Sequence, residues 1–451
     1  MKSSKKQNRR RFKKWHGIAV LLLGLFVLFR VSGHYKLKKQ LQILRTEGYP
    51  VTLEELEQSL ILPKGARNAA DIYLRAFSHY VEWDKETRKP LPIIGKATPP
   101  ARTQPLDTST RQLVEKFLSD NEQTLSLLHE AAPIKHCRYP IDFAQQSDPS
   151  ASLQKDMQAA VQLLGLEALI ASEDKDADKF LASISASLAL ARSVDGLLLI
   201  HRLTHGAVRG YTYRSIERAI NRMPLTDEQL STLSGWVKAS DSSEGFKRAL
   251  LAEQCLGLHT FTAPLPEVSN RIGEQEKGLF QVLIFSRMLG LNSKYALSYT
   301  NLMQKSIDAL ELPDPDRLET FNAIQENIHN GKQGCVITNL LWPALARTLQ
   351  IDIRHQAHSR VTQAGLAIER YRLAEGCLPE SLKCLVPAYA QAIPMDPFDG
   401  RELKYRTLTT GYVVYSVGDD LTDEGGTERD GRGRDARGKP LPWDITFIVE
   451  R

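Results

Sequence analysis

Along most of the chain, apolar positions recur at three- and four-residue steps between short polar breaks. Within 151–172, Leu153, Met157, Val161, Leu164 and Ala168 fall on one face of a helix, and Leu181, Ile184, Leu188 and Ala191 repeat the pattern. The same reading predicts helices near 108–132, 177–194, 198–222, 226–239 and 244–262. Thr52-Leu53-Glu54-Glu55 has the form of a capping box opening a short helix, and a further helix is expected over 68–77. Residues 82–107, rich in Pro, Lys and Thr, read as a long irregular connection. Residues 265–335 show no clear period, and Pro313-Asp314-Pro315-Asp316 reads as a breaker. Short breaks such as Glu173-Asp174-Lys175-Asp176 favour antiparallel neighbours in a helical array.

After residue 340 the pattern changes. Pro343 suits a first helical turn, and a helix is predicted from there to Glu375, about 33 residues or about 50 Å long. Its apolar seam is Ala357, Val361, Ala364, Ile368 and Tyr371, its polar face carries Asp352, His355 and His358, and Gly376 is the expected cap. A short helix is expected near 379–386. Glu402–Thr407 and Gly411–Val417 read as a hairpin around Leu408-Thr409-Thr410, and Asp444–Glu450 as a third strand with Ile445, Phe447 and Val449 on one face. The expected class is mainly α: an N-terminal transmembrane helix, an α-helical array, then a C-terminal α+β unit with a long helix packed on a small antiparallel sheet.

Charge sharpens the N-terminal assignment. The formal net charge is +6, but residues 1–14 carry eight Lys and Arg and no acid, which leaves −2 for the rest. The basic balance therefore does not mark the folded part as a nucleic-acid binder. Gly17 to Phe29 is uncharged on every side, and with its neighbours reaches the length of a spanning helix. By the positive-inside rule the basic tail stays in the cytoplasm and the bulk is exported. The chain is therefore expected to cross the membrane once, with its body outside the cytoplasm. A signal peptide cut after Gly33 is the alternative, and it exports the body equally. The chain thus divides into a cytoplasmic tail (1–14), a signal anchor (15–33), a helical exported domain (34–340) and an α+β module (341–451).

Export permits disulfides. Of the cysteines Cys137, Cys255, Cys335, Cys377 and Cys384, the last two flank a short Pro-containing segment and form the most plausible local pair; free thiols are the other reading. No zinc-module spacing is present.

The C-terminal quarter carries an ordered set of motifs: Ala367-Ile368-Glu369-Arg370-Tyr371-Arg372, Gly376, Leu378-Pro379, Ile393-Pro394, Asp396-Pro397-Phe398, Gly400, Gly411-Tyr412 and Tyr415-Ser416-Val417-Gly418-Asp419-Asp420. In this order they resemble the major pseudopilins of type II secretion systems, over roughly residues 345–450. The resemblance implies a pilin-like module, envelope or secretion-system partners, a bacterial inner-membrane location with the body in the periplasm, and a structural calcium bound by an acidic loop. On the positions that match, it places Asp419, Asp420 and Asp444 on the family's acidic positions; Asp423 joins them by proximity. The departures are that Leu22 stands where the family carries a glutamate in its apolar helix, and that about 300 helical residues come after the anchor.

The remaining chemistry is sparse. Asp419-Asp420-Leu421-Thr422-Asp423-Glu424-Gly425-Gly426, with Asp430, Asp435 and Asp444 beyond it, offers the oxygen ligands that Ca²⁺ prefers. Arg429, Arg432, Arg434, Arg437 and Lys439 could instead neutralise these acids. His201 and His205 share a helix face, but Arg202 stands where a zinc hydrolase would place its glutamate. His129, His136 and Cys137 are a weaker nucleophile-and-base set. No Gly-x-Ser-x-Gly, P-loop or dinucleotide fingerprint appears. A membrane-anchored scaffold or interaction protein is therefore expected, and an exported hydrolase with a site in the helical domain is the alternative.

Overall fold

The computed structural model describes residues 2–141, 143, 149–241, 243–272, 277–330, 336–428 and 442–451. It is mainly helical, with one small antiparallel sheet at the C-terminal end. Helix α1 (Lys2–Thr46) is continuous. Its residues from Val20 to Phe29 are exposed apart from the half-buried Phe26, and the helix is long and apolar enough to cross a membrane. Farther on, Leu37 and Leu44 turn inward and bind α1 to the body. One helix thus carries both the candidate membrane span and a part of the core.

The helical array keeps to the predicted pattern. Helix α2 (Leu53–Ser59) starts at Thr52, whose Oγ1 accepts from the Glu55 amide at 3.2 Å. Glu55 returns its carboxylate to the Val51 amide rather than to Thr52, so the box is shifted by one residue. Helix α3 (Ala69–His79) begins at Asn68. The irregular connection holds one short helix, α4 (Lys85–Arg88), and the predicted 108–132 helix is two, α5 (Thr108–Asp120) and α6 (Glu122–Ala131), parted at Asn121. Then come α7 (Pro149–Asp174), α8 (Ala177–Ser193), α9 (Leu199–Arg222), α10 (Asp227–Ala239) and α11 (Glu244–Thr262).

The stretch without a clear period is helical too: α12 (Leu265–Ile272), α13 (Lys277–Met288), α14 (Asn292–Ala309) and α15 (Asp314–His329). Pro313 and Pro315 start α15 rather than break a helix. Proline lacks an amide hydrogen that the first turn does not need, so it is tolerated there. Helix α16 (Val336–Glu375) begins seven residues before Pro343 and so contains that proline. It ends at Gly376, which takes φ +73, a conformation glycine adopts without steric cost.

A 3-10 turn (Leu382–Leu385) precedes β1 (Lys404–Leu408), β2 (Gly411–Ser416) and β3 (Ile445–Val449), in sheet order β1-β2-β3. Leu408 pairs with Gly411, so the hairpin turn is Thr409-Thr410. Asp396 organises the preceding loop: it is buried and accepts from the Phe398 and Val417 amides and from Ser416 Oγ, each at 2.9 Å. Ile445, Phe447 and Val449 pack inward towards α16, where Gly365 admits the Phe447 ring; a Cβ on Gly365 would lie 2.4 Å from it.

One apolar core runs from Leu37 of α1 through α9–α11, α14 and α16 to Val449 of β3, and a second fills the space between α3, α5, α6, α7 and α8. The sheet therefore docks on the helical array through α16, which both share. Asn221 of α9 strengthens the seam, donating to the Ile448 carbonyl and accepting from the Glu450 amide, both at 2.8 Å. Cys377 and Cys384 are both exposed free thiols, so the local disulfide is not formed; Cys335 lies outside the described residues.

Candidate functional site

Where α9 crosses α16 the interior is polar. Gly206 and Gly210 leave room on α9 for His355 of α16, and a Cβ at Gly206 would sit 2.2 Å from the imidazole. Arg202 donates through Nε to Asp352 at 2.7 Å and through Nη1 to Asp195 at 2.6 Å, with the Arg202 side chain only 1 % exposed and that of Asp352 3 %. Arg248 reaches Asp195 from outside at 3.3 Å. A second chain of charges lies alongside. Arg209 donates to Tyr213 Oη at 2.9 Å and lies 4.0 Å from Asp241, while Arg360 bridges Asp241 at 3.5 Å and Asp314 at 2.5 Å. Opposite charges alternate through both chains, which is how buried ions are tolerated.

This corrects the expected polar face of the long helix. Asp352 is buried and His355 and His358 are partly buried, because α9, α10, α15 and the sheet pack around α16 and leave these histidines only the wall of a cleft. His201 and His205 are likewise buried in the crossing.

Beside this network α9, α16 and β3 enclose a cleft of about 620 Å³, whose walls include Tyr213, Arg214, Glu217, Arg354, His355, His358 and Asp444. Burial first, then Arg209 and Arg202, push His355 down to about 3; burial, then His355 and Arg214, do the same to His358. Both imidazoles are therefore neutral at physiological pH. Burial raises Glu217 against the pull of Arg102, its partner at 2.8 Å. Arg354 lies over the Trp443 ring at 5.7 Å. Arg214 is exposed and makes no hydrogen bond or ion pair among the described residues. The cleft thus offers neutral imidazoles and a spare cation.

The acidic loop borders the cleft and divides the four predicted calcium ligands. Asp419 turns to Arg354, 2.9 Å away. Asp420 accepts from the Thr422 amide at 3.1 Å, a local turn. Asp423 accepts from the Gly425 amide and from Tyr415 Oη, each at 3.0 Å. Asp444 accepts through Oδ2 from the Gly426 and Thr427 amides at 2.8 and 3.2 Å, while its Oδ1 is buried without a hydrogen-bond partner among the described residues. Glu424 Oε2 is also buried, and its only side-chain neighbour of this kind among the described residues is the Asp444 carboxyl. The two carboxyls approach each other: burial raises both, Asp420 and Asp444 adding to Glu424, and Asp423 to Asp444. Glu424 stands inside the acidic run but was not singled out, because sequence does not show which acids converge. Asp430, Asp435 and the basic residues Arg429, Arg432, Arg434, Arg437 and Lys439 lie outside the described residues. Among the described residues, no group of three or more His, Cys, Asp or Glu side chains is gathered to hold a metal ion.

The nucleophile-and-base set is not assembled. His129 pairs with Glu167 at 2.7 Å, while Cys137 lies beside Tyr139 and Ser193, its thiol pushed up to about 12 by burial. Such a thiol is a poor nucleophile at neutral pH. Comparisons with known proteins add no precedent: no protein-family model, curated protein or solved structure matches the chain.

Proposed function

We propose that the chain is a membrane-anchored scaffold of the bacterial envelope, whose rigid body holds a pilin-like module and presents it to a partner in a type II secretion or pilus-like system. The observation that carries this reading is the shared helix. α16 packs on α9, α10 and α15 on one side and on β2 and β3 on another, and buried ion pairs fix it in place. A module held this way is a fixed surface at a set orientation to the anchor. Its loop faces outward and carries the close Glu424–Asp444 carboxyl pair, whose repulsion a hard cation would relieve; Asp423 and backbone carbonyls would have to move in to complete the set, while Asp419 would not take part. Bound calcium would neutralise the converging carboxylates and stiffen the loop.

The test is photo-crosslinking in the source membrane from a benzophenone residue placed at Arg214 or Leu421. A crosslink to a pseudopilin or another secretion component supports the proposal. Absence of any such adduct, with secretion unaffected when the gene is deleted, refutes it.

One observation favours the hydrolase alternative. The cleft brings His355 and His358 near Glu217 and Asp444, and Glu217, raised by burial, is the group there best placed to exchange a proton. Turnover of ester, peptide or glycoside probes that is lost in His358→Gln would support that reading in place of the scaffold.

A further inference from the structure

A second surface reaches the level of the membrane. The corner between α13 and α14 packs directly on α1 where its apolar stretch ends: a Cβ on Gly290 would lie 2.6 Å from Arg30 Cγ, and Gly33 faces Ser293 Cβ at 3.8 Å. Arg30 stands immediately after Phe29, the last residue of the uncharged run. Just before this contact, Phe285, Met288 and Leu289 are 62 %, 70 % and 56 % exposed. Three large apolar side chains left open together at a corner are unusual on a surface facing water.

The surroundings are those of a lipid–water boundary. Val27, Leu28 and Val31 of α1 are themselves half or more exposed, so apolar side chains stand open on both elements that meet at this contact. Tyr35 is 69 % exposed one turn beyond Val31, where interfacial aromatics are favoured. Lys36, Lys38, Lys39 and Lys294 are exposed around it. Between α1 and the corner is a cleft of about 530 Å³ lined by Arg30, His34 and Arg287, among others. Arg287 is held there by the Thr260 and Phe261 carbonyls, each at 3.3 Å.

We propose that the α13–α14 corner is a second, non-spanning membrane contact. Phe285, Met288 and Leu289 enter the acyl boundary of the leaflet from which α1 emerges, and the cleft of Arg30, His34 and Arg287 receives the phosphate of an anionic phospholipid headgroup. The consequence is mechanical. An anchor of one helix leaves the body free to tilt, and a second contact fixes the orientation of everything above it. The inference rests on α1 spanning the bilayer.

The experiment uses the full chain in vesicles of phosphatidylethanolamine and phosphatidylglycerol, with p-benzoylphenylalanine placed singly at Phe285, Met288 or Leu289. Leu23, in the anchor, is the positive control, and Leu421, an exposed apolar residue of the acidic loop, the negative one. The expected result is lipid adducts at all three corner positions, several-fold above Leu421. Replacing phosphatidylglycerol by phosphatidylcholine lowers their yield, and Arg30→Gln with Arg287→Gln removes that dependence. Adducts at the corner no higher than at Leu421 while Leu23 labels, or adducts to a second copy of the chain, overturn the corner contact alone. A yield indifferent to headgroup charge overturns the phosphate site. Failure at Leu23 removes the anchor reading, and the inference with it.

Discussion

Arg202 offers the sharpest energetic test of the lock between α9 and α16. Arg202→Met keeps most of the side-chain length but removes the cation between Asp352 and Asp195. Asp195 keeps Arg248 at 3.3 Å and its side chain is 18 % exposed. Among the described residues Asp352 keeps only Gln356 Nε2, at 3.4 Å, as a hydrogen-bond partner, and it is deeply buried. Removing one member of a buried ion pair costs about 3–5 kcal/mol, most of it the desolvated charge left behind. Adding Asp352→Leu removes that charge, so the double variant should be about 2 kcal/mol or more stabler than Arg202→Met alone. Asp352→Asn alone, which leaves the Arg202–Asp195 pair, should cost about 1–3 kcal/mol. The assay is urea unfolding of the full chain in detergent micelles, monitored by tryptophan fluorescence and far-UV circular dichroism. A cost below about 1 kcal/mol for Arg202→Met, or strict additivity in the double variant, would refute the reasoning.

Three further outcomes rest on the geometry. His355 and His358 titrate near 3 in the fold and near 6.5 when unfolded, so the unfolded chain binds more protons between those limits. Stability should be full above about pH 6.5 and fall as pH drops towards 3; from pH 7.5 to 5 the loss is about 2 kcal/mol per fully desolvated histidine, less here because the cleft is open. Unfolding midpoints across that range should show the fall, and the variant His355→Gln with His358→Gln should flatten it. Gly365→Ala should lower the melting temperature, at a cost of about 1–3 kcal/mol from crowding Phe447, and Phe447→Leu in the same chain should return part of it. Calcium should raise the melting temperature relative to chelator, the stabilisation being about 2.7 kcal/mol at a hundredfold excess over its dissociation constant. Asp444→Asn or Glu424→Gln should abolish that shift and Asp419→Asn should not; no shift in the unmodified protein removes the calcium proposal.

The helical array, the long helix with its Gly376 cap, and the three strands were legible because each is a local pattern. Apolar residues at helical or alternating steps bury one face, and caps and turns mark the ends. Features that depend on distant partners were not legible. α15 looked like a break, since Pro313 and Pro315 suit the first turn of a helix as well as its interruption, and only the packing of α15 decides between them. Asp352, His355 and His358 looked like a solvated face. Only the fold shows that Arg202, 150 residues earlier, and Gly206 cover that face. The acidic loop was visible as composition, but the partners of its carboxylates were not: Arg354 reaches Asp419, and Glu424 lies against Asp444, twenty residues on. Phe285, Met288 and Leu289 give no signal in sequence either, because an apolar residue meant for lipid looks the same as one meant for a core.

The arrangement rests on α1 crossing the bilayer with its basic end behind it. Paired fusions of alkaline phosphatase and a fluorescent protein after Arg451 address this directly, one reporter active only outside the cytoplasm and the other only inside. Phosphatase activity with a dark fluorescent fusion is the predicted result. A fluorescent fusion with inactive phosphatase would place the body in the cytosol and contradict the account.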